Sequence, residues 1–509
     1  MNKIDFKLGK LIQVLFLIIS VFIILFVGTR ISWILGLALG FIPLILFGSL
    51  FIFSNAYWLF LSIFIFNYYI MGITRYIPSI SGGIIMDTML VFIFISLIIN
   101  GFSKRVPILW DRAKTPLTYA LLIWLIYCIL EIFNPESISA KAWLTGVRGI
   151  VIYFFVIVIL TQIICKNYKQ MRTIIFIWSI LTLTALIKVY IQKNYGFDFG
   201  EKRWLYIDGG ARTHIIYSGI RYFSFFSDAA TFGCSMAFSF VTFFISAIGE
   251  RKKSIKIYYI IIALLAIYGM LLSGTRVAIV IPFIGLAIYL VFSKKIKTVI
   301  TFSLLLISLF FFFKYTYIGQ GNSLIRRTRT TFSPDKDSSY VVRKDNQAMI
   351  KTYMANKPFG VGIGLSAGRA NNYGSYTNLS NIPTDSWLVL VWEETGIVGL
   401  CVYICTLVFI IVYGGYIIMF KLRNKELRHY MIGLYGGIIG MIVASYANEA
   451  FSQFPNGFIV YTGLAFIFVS PHFDKELAEK ELIEKKLVEE NIIAKNKDSD
   501  NNKLLKMIN

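Results

Sequence analysis

Residues 257–292 have the sequence IYYIIIALLAIYGMLLSGTRVAIVIPFIGLAIYLVF, in which Arg276 is the only charged residue. The stretch consists of two apolar runs joined by Gly274, Thr275 and Arg276. About 18 apolar residues are enough for an α-helix to cross the hydrocarbon core of a bilayer. The stretch therefore predicts two membrane-spanning helices connected by a tight hairpin, and similar apolar runs recur along almost the whole chain.

The composition indicates the same class of protein. Of the 509 residues, 57% are hydrophobic and 15% are charged, whereas a soluble globular protein has roughly 25% charged residues. These values exclude a soluble enzyme, a secreted disulfide scaffold and a disordered chain. The five cysteines form no CxxC pair and there are only three histidines, so we expect neither a disulfide framework nor a multi-histidine metal centre.

We predict an all-α integral membrane protein with about 14 transmembrane helices. Each apolar run is long enough for a hydrocarbon core of ~30 Å once helix tilt is allowed for. The predicted spans lie near residues 11–27, 31–53, 57–73, 84–100, 117–133, 150–165, 173–191, 228–249, 257–273, 277–292, 298–313, 397–420, 430–446 and 458–470.

The positions of lysine and arginine predict the orientation of the chain. Cytoplasmic loops of membrane proteins collect basic residues, and this rule accounts for much of the net charge of +23 without a nucleic-acid partner. Arg75, Lys141 and Arg148 are scattered outer charges that do not follow the rule. With the N-terminus in the cytoplasm, the basic clusters that do fall on the cytoplasmic side lie within residues 104–114, 166–172, 251–256, 294–297 and 421–428.

This orientation divides the chain into seven segments. The second large outer loop is the only one with room for a subdomain, and we expect it to form a partly helical lid. In order, the segments are a cytoplasmic N-terminus (1–10), N-terminal transmembrane helices (11–191), a first large outer loop (192–222), central transmembrane helices (223–313), the second large outer loop (314–395), C-terminal transmembrane helices (396–470) and a charged cytoplasmic tail (471–509).

Both large outer loops are basic, against the positive-inside tendency. The first contains Arg203, Arg212 and Arg221, and the second contains Arg343 among other cations. The guanidinium group presents a planar fork of donors that matches phosphate oxygens. The loops therefore predict a phosphate-bearing lipid or a polyanionic glycan as ligand, and a solvated loop surface is the alternative for any single residue.

Arg276 is the strongest single candidate for a functional residue. It lies between two apolar runs with almost no loop to hold it in water, and a charge at such a depth is usually functional or paired. Snorkelling to the membrane interface is the alternative.

Two further patterns follow in the second outer loop. Gly360 and Gly362 alternate with apolar residues, and glycine allows a tight turn or a close approach to a ligand. Asp385 would lie at the outer rim of the next helix, with Glu394 nearby in the sequence. Asp385 could pair with an arginine or accept a proton from a sugar hydroxyl.

Together these patterns resemble the O-antigen ligase and Wzy-type polymerase superfamily of bacterial envelope glycosyltransferases. Asp385-Ser386, nine residues, Gly396, two residues and Gly399 resemble its pattern of His, Asn/Ser/Gln, nine residues, Gly, two residues and Gly/Thr/Tyr, with Asp in place of His. The remaining similarities are Pro358–Gly362 with a P-x-G-x-G stretch, Arg343 with the arginine before that stretch, Ser273–Arg276 with an S-x-S-R hairpin, and Arg221–Asp228 with a first arginine motif. The resemblance covers roughly residues 221–399.

The resemblance implies a chemistry and a location. The donor would be a glycan on undecaprenyl pyrophosphate at the outer face of the bacterial cytoplasmic membrane, and an acceptor hydroxyl would attack its anomeric carbon with inversion. Arg276, Arg221 and Arg343 would stabilise the charge on the leaving pyrophosphate, so that no metal or other cofactor is required. Asp385 would orient or deprotonate the acceptor, and His214 is an alternative base. The remaining candidates for substrate binding are Arg203, Arg212, Gly360, Gly362 and Glu394.

Three functions stay open at this point. The first is a polymerase of lipid-linked repeat units for O-antigen, capsule or exopolysaccharide, with a chain-length regulator as a candidate partner. The second is a ligase that moves a finished glycan onto a lipopolysaccharide core or a protein. The third is a transporter of lipid-linked sugars, for which Asp87, Glu131 and Lys188 would be the intramembrane charges. Replacement of the motif histidine tilts the choice toward a polymerase.

Overall fold

The computed structural model describes residues 55–77, 81–102, 109–216, 219–293, 296–321, 325–326, 329, 338–373, 379, 382–384 and 386–508. The predicted spans 11–27 and 31–53 and the candidate Asp385 lie outside these residues. The described residues form two compact units, the first made of residues up to 63 and from 86 to 102, the second of residues 64–85 and those from 109 onward. All contacts described below lie within the second unit.

Helices dominate the described residues. The helices before the first outer loop are α1 (Ala56–Tyr76), α2 (Gly82–Phe102), α3 (Pro116–Leu130), α4 (Ala140–Val147), α5 (Tyr153–Ile164) and α6 (Tyr168–Asn194). Those that follow are α7 (Phe199–Tyr206), α8 (Ala211–His214), α9 (Ala229–Gly249), α10 (Lys253–Leu272), α11 (Val280–Ser293), α12 (Ile296–Tyr315), α13 (Ser338–Met354), α14 (Trp387–Tyr416), α15 (Lys425–Ala444) and α16 (Asn456–Ile508). Strands β1 (Ile215–Ile216) and β2 (Gly219–Ile220) form one short antiparallel pair, with Ile215 opposite Ile220.

Ten helical segments within these residues are long and apolar enough to cross a membrane, and the shorter apolar segment Val277–Ser293 follows the hairpin at Arg276. The protein is therefore an all-α, multi-pass membrane protein, which confirms the predicted fold class. Helix α14 is kinked at Gly396, whose φ and ψ are not helical, and the predicted span at 397 begins directly after the kink. The part before the kink begins at Trp387, where Ser386 caps it by accepting a hydrogen bond from the Val389 N–H. The segment boundary drawn after residue 395 coincides with this kink.

Helix α9 lies at the centre of the second unit, between α10, α11 and α15. Small residues allow this close packing: a Cβ atom added at Gly433 of α15 would lie 2.8 Å from the Thr242 carbonyl oxygen of α9, and one added at Gly436 would lie 3.0 Å from the Gly285 carbonyl oxygen of α11. Close backbone approach at small residues is the usual way in which helices associate in a bilayer. The central position of α9 fixes its N-terminus, on which the candidate site is built.

An ionic network fixes the opposite end of the unit, where the basic clusters lie. Arg172 of α6 bonds to Glu250, which follows α9, at 2.7 Å and to Glu426 of α15 at 2.8 Å. The Glu250 carboxylate also accepts a hydrogen bond from the Tyr430 hydroxyl at 2.5 Å. Asp474 of α16 accepts hydrogen bonds from the backbone N–H groups of Arg423 and Asn424. Four helices are thus joined at one end of this unit.

Candidate active site

The segment that leads from the first outer loop into α9 is held by a buried arginine. Arg75, at the end of α1, donates hydrogen bonds to the carbonyl oxygens of Ser224 at 2.9 Å, Phe226 and Ser227. Its guanidinium group also lies 4.4 Å from the centre of the Phe223 ring. The backbone of Ser224 has a positive φ of 51°, a conformation that needs such external support. Arg75, one of the charges that do not follow the positive-inside rule in the predicted orientation, therefore shapes the loop after Arg221.

The N-terminus of α9 is capped twice. The Asp228 carboxylate accepts hydrogen bonds from the N–H groups of Ala230 at 2.7 Å and Thr231 at 2.8 Å, as expected for an N-cap aspartate. The Nε2 atom of His214 accepts a hydrogen bond from the Ala229 N–H at 3.0 Å, and its Nδ1 atom lies 3.0 Å from the Gly210 carbonyl oxygen. Both groups tie the first outer loop to the start of α9.

These contacts define the state of His214. An acceptor at Nε2 and a donor at Nδ1 are the pattern of a neutral imidazole. Burial lowers the pKa of His214 to about 4, and the positive charges of Arg221 and Arg75 act in the same direction. Since both ring nitrogens are engaged with the backbone, the structure places this predicted alternative base in a capping position.

The hairpin at Arg276 has the predicted tight form. Gly274 has a positive φ of 58°, and the Ser273 hydroxyl oxygen accepts a hydrogen bond from the Thr275 N–H at 3.1 Å. The Thr275 hydroxyl donates to the Ala229 carbonyl oxygen at 2.9 Å and accepts a hydrogen bond from Nη2 of Arg221 at 3.1 Å. The hairpin between α10 and α11 is thereby fixed to the N-terminus of α9 and to the first arginine motif.

Three arginines from distant parts of the sequence come together here. Burial lowers the pKa of Arg221; Asp228 opposes this shift, and the positive charges of Arg276 and Arg343 add to it. Arg221 precedes α9, Arg276 follows the hairpin and Arg343 lies on α13. The Nε atoms of Arg221 and Arg343 are buried and donate no hydrogen bond to any part of the chain that the structure describes. We call Arg221, Arg276 and Arg343 the arginine cluster.

Asp228 offsets part of the positive charge on Arg221, but a buried donor without a partner still costs free energy because it has lost its hydration. A phosphate or pyrophosphate group supplies both the charge and the acceptor oxygens. The arrangement could therefore accommodate an anion. By contrast, Arg203 on α7 and Arg212 on α8 are exposed at the surface of the first outer loop.

The glycine-rich stretch has a packing partner within the chain. Gly360 and Gly362 have positive φ values of 82° and 98°. The N–H groups of Val361 and Gly362 donate to the carbonyl oxygens of Glu393 at 2.8 Å and Glu394 at 3.2 Å. A Cβ atom at Gly360 would lie 2.6 Å from the Glu393 carbonyl oxygen. The close approach expected from these glycines is thus an approach to the kinked helix α14.

Glu394 is fully buried below this stretch. Its Oε1 atom accepts a hydrogen bond from the Ser366 hydroxyl at 2.6 Å and lies 3.3 Å from Nη1 of Arg369. The Nη2 atom of the same arginine lies 3.6 Å from Oε2 of Glu449, and the Thr384 hydroxyl donates to Oε1 of Glu449 at 2.9 Å. Glu394 consequently supports Arg369, which in turn faces a second carboxylate.

Glu449 lines a cavity of about 460 Å³, whose wall also contains Ser227, the residue before the N-cap Asp228 of α9. One wall is the π-helical turn Arg148–Ile152, a local irregularity that is frequent at functional sites. Gln453 on another wall accepts a hydrogen bond from the Ser227 hydroxyl at 3.0 Å, and that hydroxyl also bonds to the Asp228 carboxylate at 3.0 Å. The further lining residues include Tyr153, Arg369, Asn372, Tyr373, Trp387 and Phe454.

Several of these lining residues were not predicted. Glu449 and Arg148 are recognisable in the sequence as charged residues next to apolar runs. Nothing in the sequence indicates that they line the same cavity. Asp385 lies outside the described residues, and Thr384 before it and Trp387 after it both belong to the surroundings of the cavity. Within the described residues, no three metal-ligating side chains form a group that could hold an ion.

Comparison with known proteins identifies a family that matches part of the chain. Residues 261–404 match a family model described as O-antigen ligase. The match contains the hairpin with Arg276, Arg343, the glycine-rich stretch and the kink of α14, and it confirms the resemblance to the O-antigen ligase and polymerase superfamily. No curated protein matches the chain. The match supports a membrane enzyme that processes glycans and uses lipid-linked glycan substrates.

Proposed function

We propose that the protein is a glycosyltransferase that polymerises undecaprenyl-pyrophosphate-linked oligosaccharide repeat units at the outer face of the bacterial cytoplasmic membrane. The observation that carries the proposal is the arginine cluster, in which Arg221, Arg276 and Arg343 converge and two Nε donors are left without a partner. An anion of high charge density is the ligand that such a cluster stabilises best.

The proposed reaction is a single displacement. The oxygen of an acceptor hydroxyl forms a bond to the anomeric carbon of the donor while the bond between that carbon and the phosphate oxygen breaks. The electron pair stays on the pyrophosphate, whose negative charge increases as the bond breaks. Donors held in place before the reaction stabilise such developing charge without reorganisation, and they often contribute the largest catalytic effect.

A ligase is the second candidate, because the family model that matches residues 261–404 is described as O-antigen ligase. It shares the donor and the arginine cluster with a polymerase and differs only in the acceptor. The transporter hypothesis has less support. Lys188 is paired with Asp198 at 2.7 Å and Glu201 at 3.0 Å, and Glu131 accepts a hydrogen bond from the Asn134 side chain, which also donates to the Phe359 carbonyl oxygen.

The test uses purified full-length protein and the undecaprenyl-pyrophosphate oligosaccharide isolated from the host cells, with products resolved on a gel. We expect wild type to give a ladder of added repeats. Arg276→Ala should lower the rate by about 10²–10³, as expected for loss of one charge-stabilising group. Arg326→Ala is the matched control, because Arg326 is an exposed arginine of the second outer loop.

The outcomes separate the candidates. A ladder that is lost in Arg276→Ala and kept in Arg326→Ala supports the polymerase. A single transfer that requires an added lipid-core or protein acceptor identifies a ligase. No product with any acceptor contradicts a transferase, and an unchanged ladder in Arg276→Ala contradicts the role of the arginine cluster.

A further inference from the structure

The cavity lined by Glu449 has the composition of a sugar-binding site. Its volume of about 460 Å³ is in the usual range for small-molecule sites. Tyr153, Tyr373 and Trp387 contribute aromatic surface, while Gln453 and Glu449 contribute hydrogen-bonding groups. Aromatic rings suit the apolar faces of a sugar, and polar side chains suit its hydroxyl groups.

Glu449 is the carboxylate in this cavity that is both accessible and fixed in orientation. Its side chain is 21% exposed, whereas that of Glu394 is 0% exposed. Thr384 holds one carboxylate oxygen at 2.9 Å and Arg369 faces the other at 3.6 Å. A carboxylate held in this way can accept a proton from a hydroxyl group within hydrogen-bond distance.

The backbone that carries Glu449 is also fixed. Glu449 lies in the connection between α15 and α16, where the carbonyl oxygens of Ser445 and Asn448 both accept hydrogen bonds from the Trp387 N–H. The Asn456 side chain at the end of this connection donates to the Thr231 carbonyl oxygen of α9 at 2.9 Å. A base must be positioned within hydrogen-bond distance of the proton that it removes, and this scaffold provides such rigidity.

Two hydrogen bonds and one electrostatic interaction connect the cavity with the arginine cluster. Gln453 on the cavity wall bonds to Ser227, Ser227 bonds to Asp228, and the charge of Asp228 acts on Arg221. A sugar in the cavity and a pyrophosphate on the arginines would therefore be neighbours. The anomeric carbon of the donor would lie between the two sites.

We infer that the cavity binds the acceptor sugar of the glycan and that Glu449 removes the proton from its attacking hydroxyl. This inference rests on the proposed transferase function. As the acceptor oxygen bonds to the anomeric carbon, its proton passes to Glu449 and the pyrophosphate leaves with the electron pair of the broken bond. Arg369 and Glu394 act as positioning residues behind Glu449. The inference assigns to Glu449 the role that the sequence motif predicted for Asp385.

The experiment measures repeat addition by purified full-length protein with the lipid-linked oligosaccharide from the host cells. Glu449→Gln preserves the shape of the side chain and should lower kcat by about 10²–10⁴, the usual contribution of a general base. Glu449→Ala should be equally slow and should regain activity when sodium formate is added, because formate supplies a carboxylate to the vacated space. Glu136→Gln is the matched control, since Glu136 is an outer-loop glutamate paired with Lys357.

Formate rescue separates catalysis from folding, since a misfolded variant cannot regain activity. Loss of activity in both Glu449 variants with formate rescue supports the inference. Activity of Glu449→Gln within about threefold of wild type, or loss without rescue, overturns it and returns the role to Asp385, which Asp385→Asn in the same assay would report. Failure of wild type itself to transfer overturns the proposed function instead.

Discussion

The hydroxyl oxygen of Thr275 lies 3.1 Å from Nη2 of Arg221, although 54 residues separate the two in the sequence. The same hydroxyl donates to the Ala229 carbonyl oxygen at 2.9 Å. Arg221 also donates through Nη1 to the Thr213 carbonyl oxygen at 3.0 Å. The hairpin that carries Arg276 thus determines where the guanidinium group of Arg221 lies, and the two arginines are positioned as a unit.

Thr275→Val should weaken catalysis without unfolding the protein. Valine matches the shape of threonine but leaves Arg221 without one acceptor, and a hydrogen bond to a charged group contributes about 1.5–3 kcal/mol. Since 1.36 kcal/mol corresponds to a tenfold change in rate, we expect kcat/KM for repeat addition to fall by about 10–100-fold.

Thr275→Ser is the matched control for this change because it keeps the hydroxyl group. We expect its kcat/KM to stay within about threefold of wild type, since the hydrogen bonds are preserved. Equal losses in the valine and serine variants would show that the methyl group matters and that the bond to Arg221 does not.

Gly396→Ala should destabilise the fold. Gly396 interrupts α14 with φ 66° and ψ −171°, a conformation that is essentially restricted to glycine. An added Cβ atom would also overlap the Pro358 carbonyl oxygen. We expect a loss of about 3 kcal/mol or more in the free energy of unfolding, measured by thermal unfolding in detergent.

Gly321→Ala provides the comparison for Gly396→Ala. A Cβ atom at Gly321 would meet nothing within 4 Å, so its effect should stay within about 0.5 kcal/mol. A melting temperature for Gly396→Ala equal to that of Gly321→Ala would contradict the account of the kink.

The fold and the hairpin could be predicted because they depend on local composition. An apolar run such as residues 257–273 is long enough to cross a membrane whatever its neighbours in the sequence are. A single charged residue between two such runs, here Arg276, indicates a turn. The start of α14 could not be predicted from hydropathy alone. The kink at Gly396 separates Trp387–Thr395 from the apolar run that follows, and backbone hydrogen bonds to Pro358–Gly362 on both sides of the kink fix the two parts relative to each other.

The candidate site was predictable only in part, because its residues meet through tertiary contacts. The motifs identified Arg221, Arg276 and Arg343, but no spacing links Glu449 to Arg369 or to Thr384. His214 shows the opposite case: an isolated histidine in a basic loop suggested a base, and the structure uses its ring to cap α9. A sequence pattern shows which residue type is present. Whether that side chain contacts a substrate or caps a helix depends on the neighbours that the fold places around it.

The capping role of His214 makes stability depend on pH. Its pKa is about 4 in the folded protein and roughly 6.5 in an unfolded chain. Between these values the unfolded state binds more protons, so stability should decrease as the pH falls from about 6.5 to 4. The contribution lost is about 3 kcal/mol at most, since each unit of pKa difference corresponds to 1.36 kcal/mol.

The measurement compares thermal unfolding of wild type and His214→Gln in detergent across this pH range. Glutamine keeps an acceptor for the Ala229 N–H but does not titrate, so the variant should show a shallower loss of stability on acidification. Carboxylate groups also titrate in this range, in both proteins. The relevant quantity is therefore the difference between the two curves of melting temperature against pH. Parallel curves would exclude His214 as the source of the pH dependence.

Arg172→Met should produce the largest loss of stability among charge substitutions in the ionic network of Arg172, Glu250 and Glu426. Arg172 neutralises Glu250, whose side chain is 0% exposed, and Glu426, whose side chain is 9% exposed. Removal of one partner from a buried ion pair leaves uncompensated charge and typically costs about 3–5 kcal/mol. Lys114→Met is the control, because the Lys114–Asp111 pair is solvent-exposed and exposed pairs contribute little.

A triple variant tests the cause of this loss. Adding Glu250→Gln and Glu426→Gln to Arg172→Met removes the two charges that the arginine compensated, so it should restore most of the melting temperature if the cost is electrostatic. If the triple variant is instead less stable than Arg172→Met by the sum of the separate losses, then the arginine acts through packing against Tyr168 and Tyr430, over whose rings its guanidinium group lies at 5.8 and 5.7 Å.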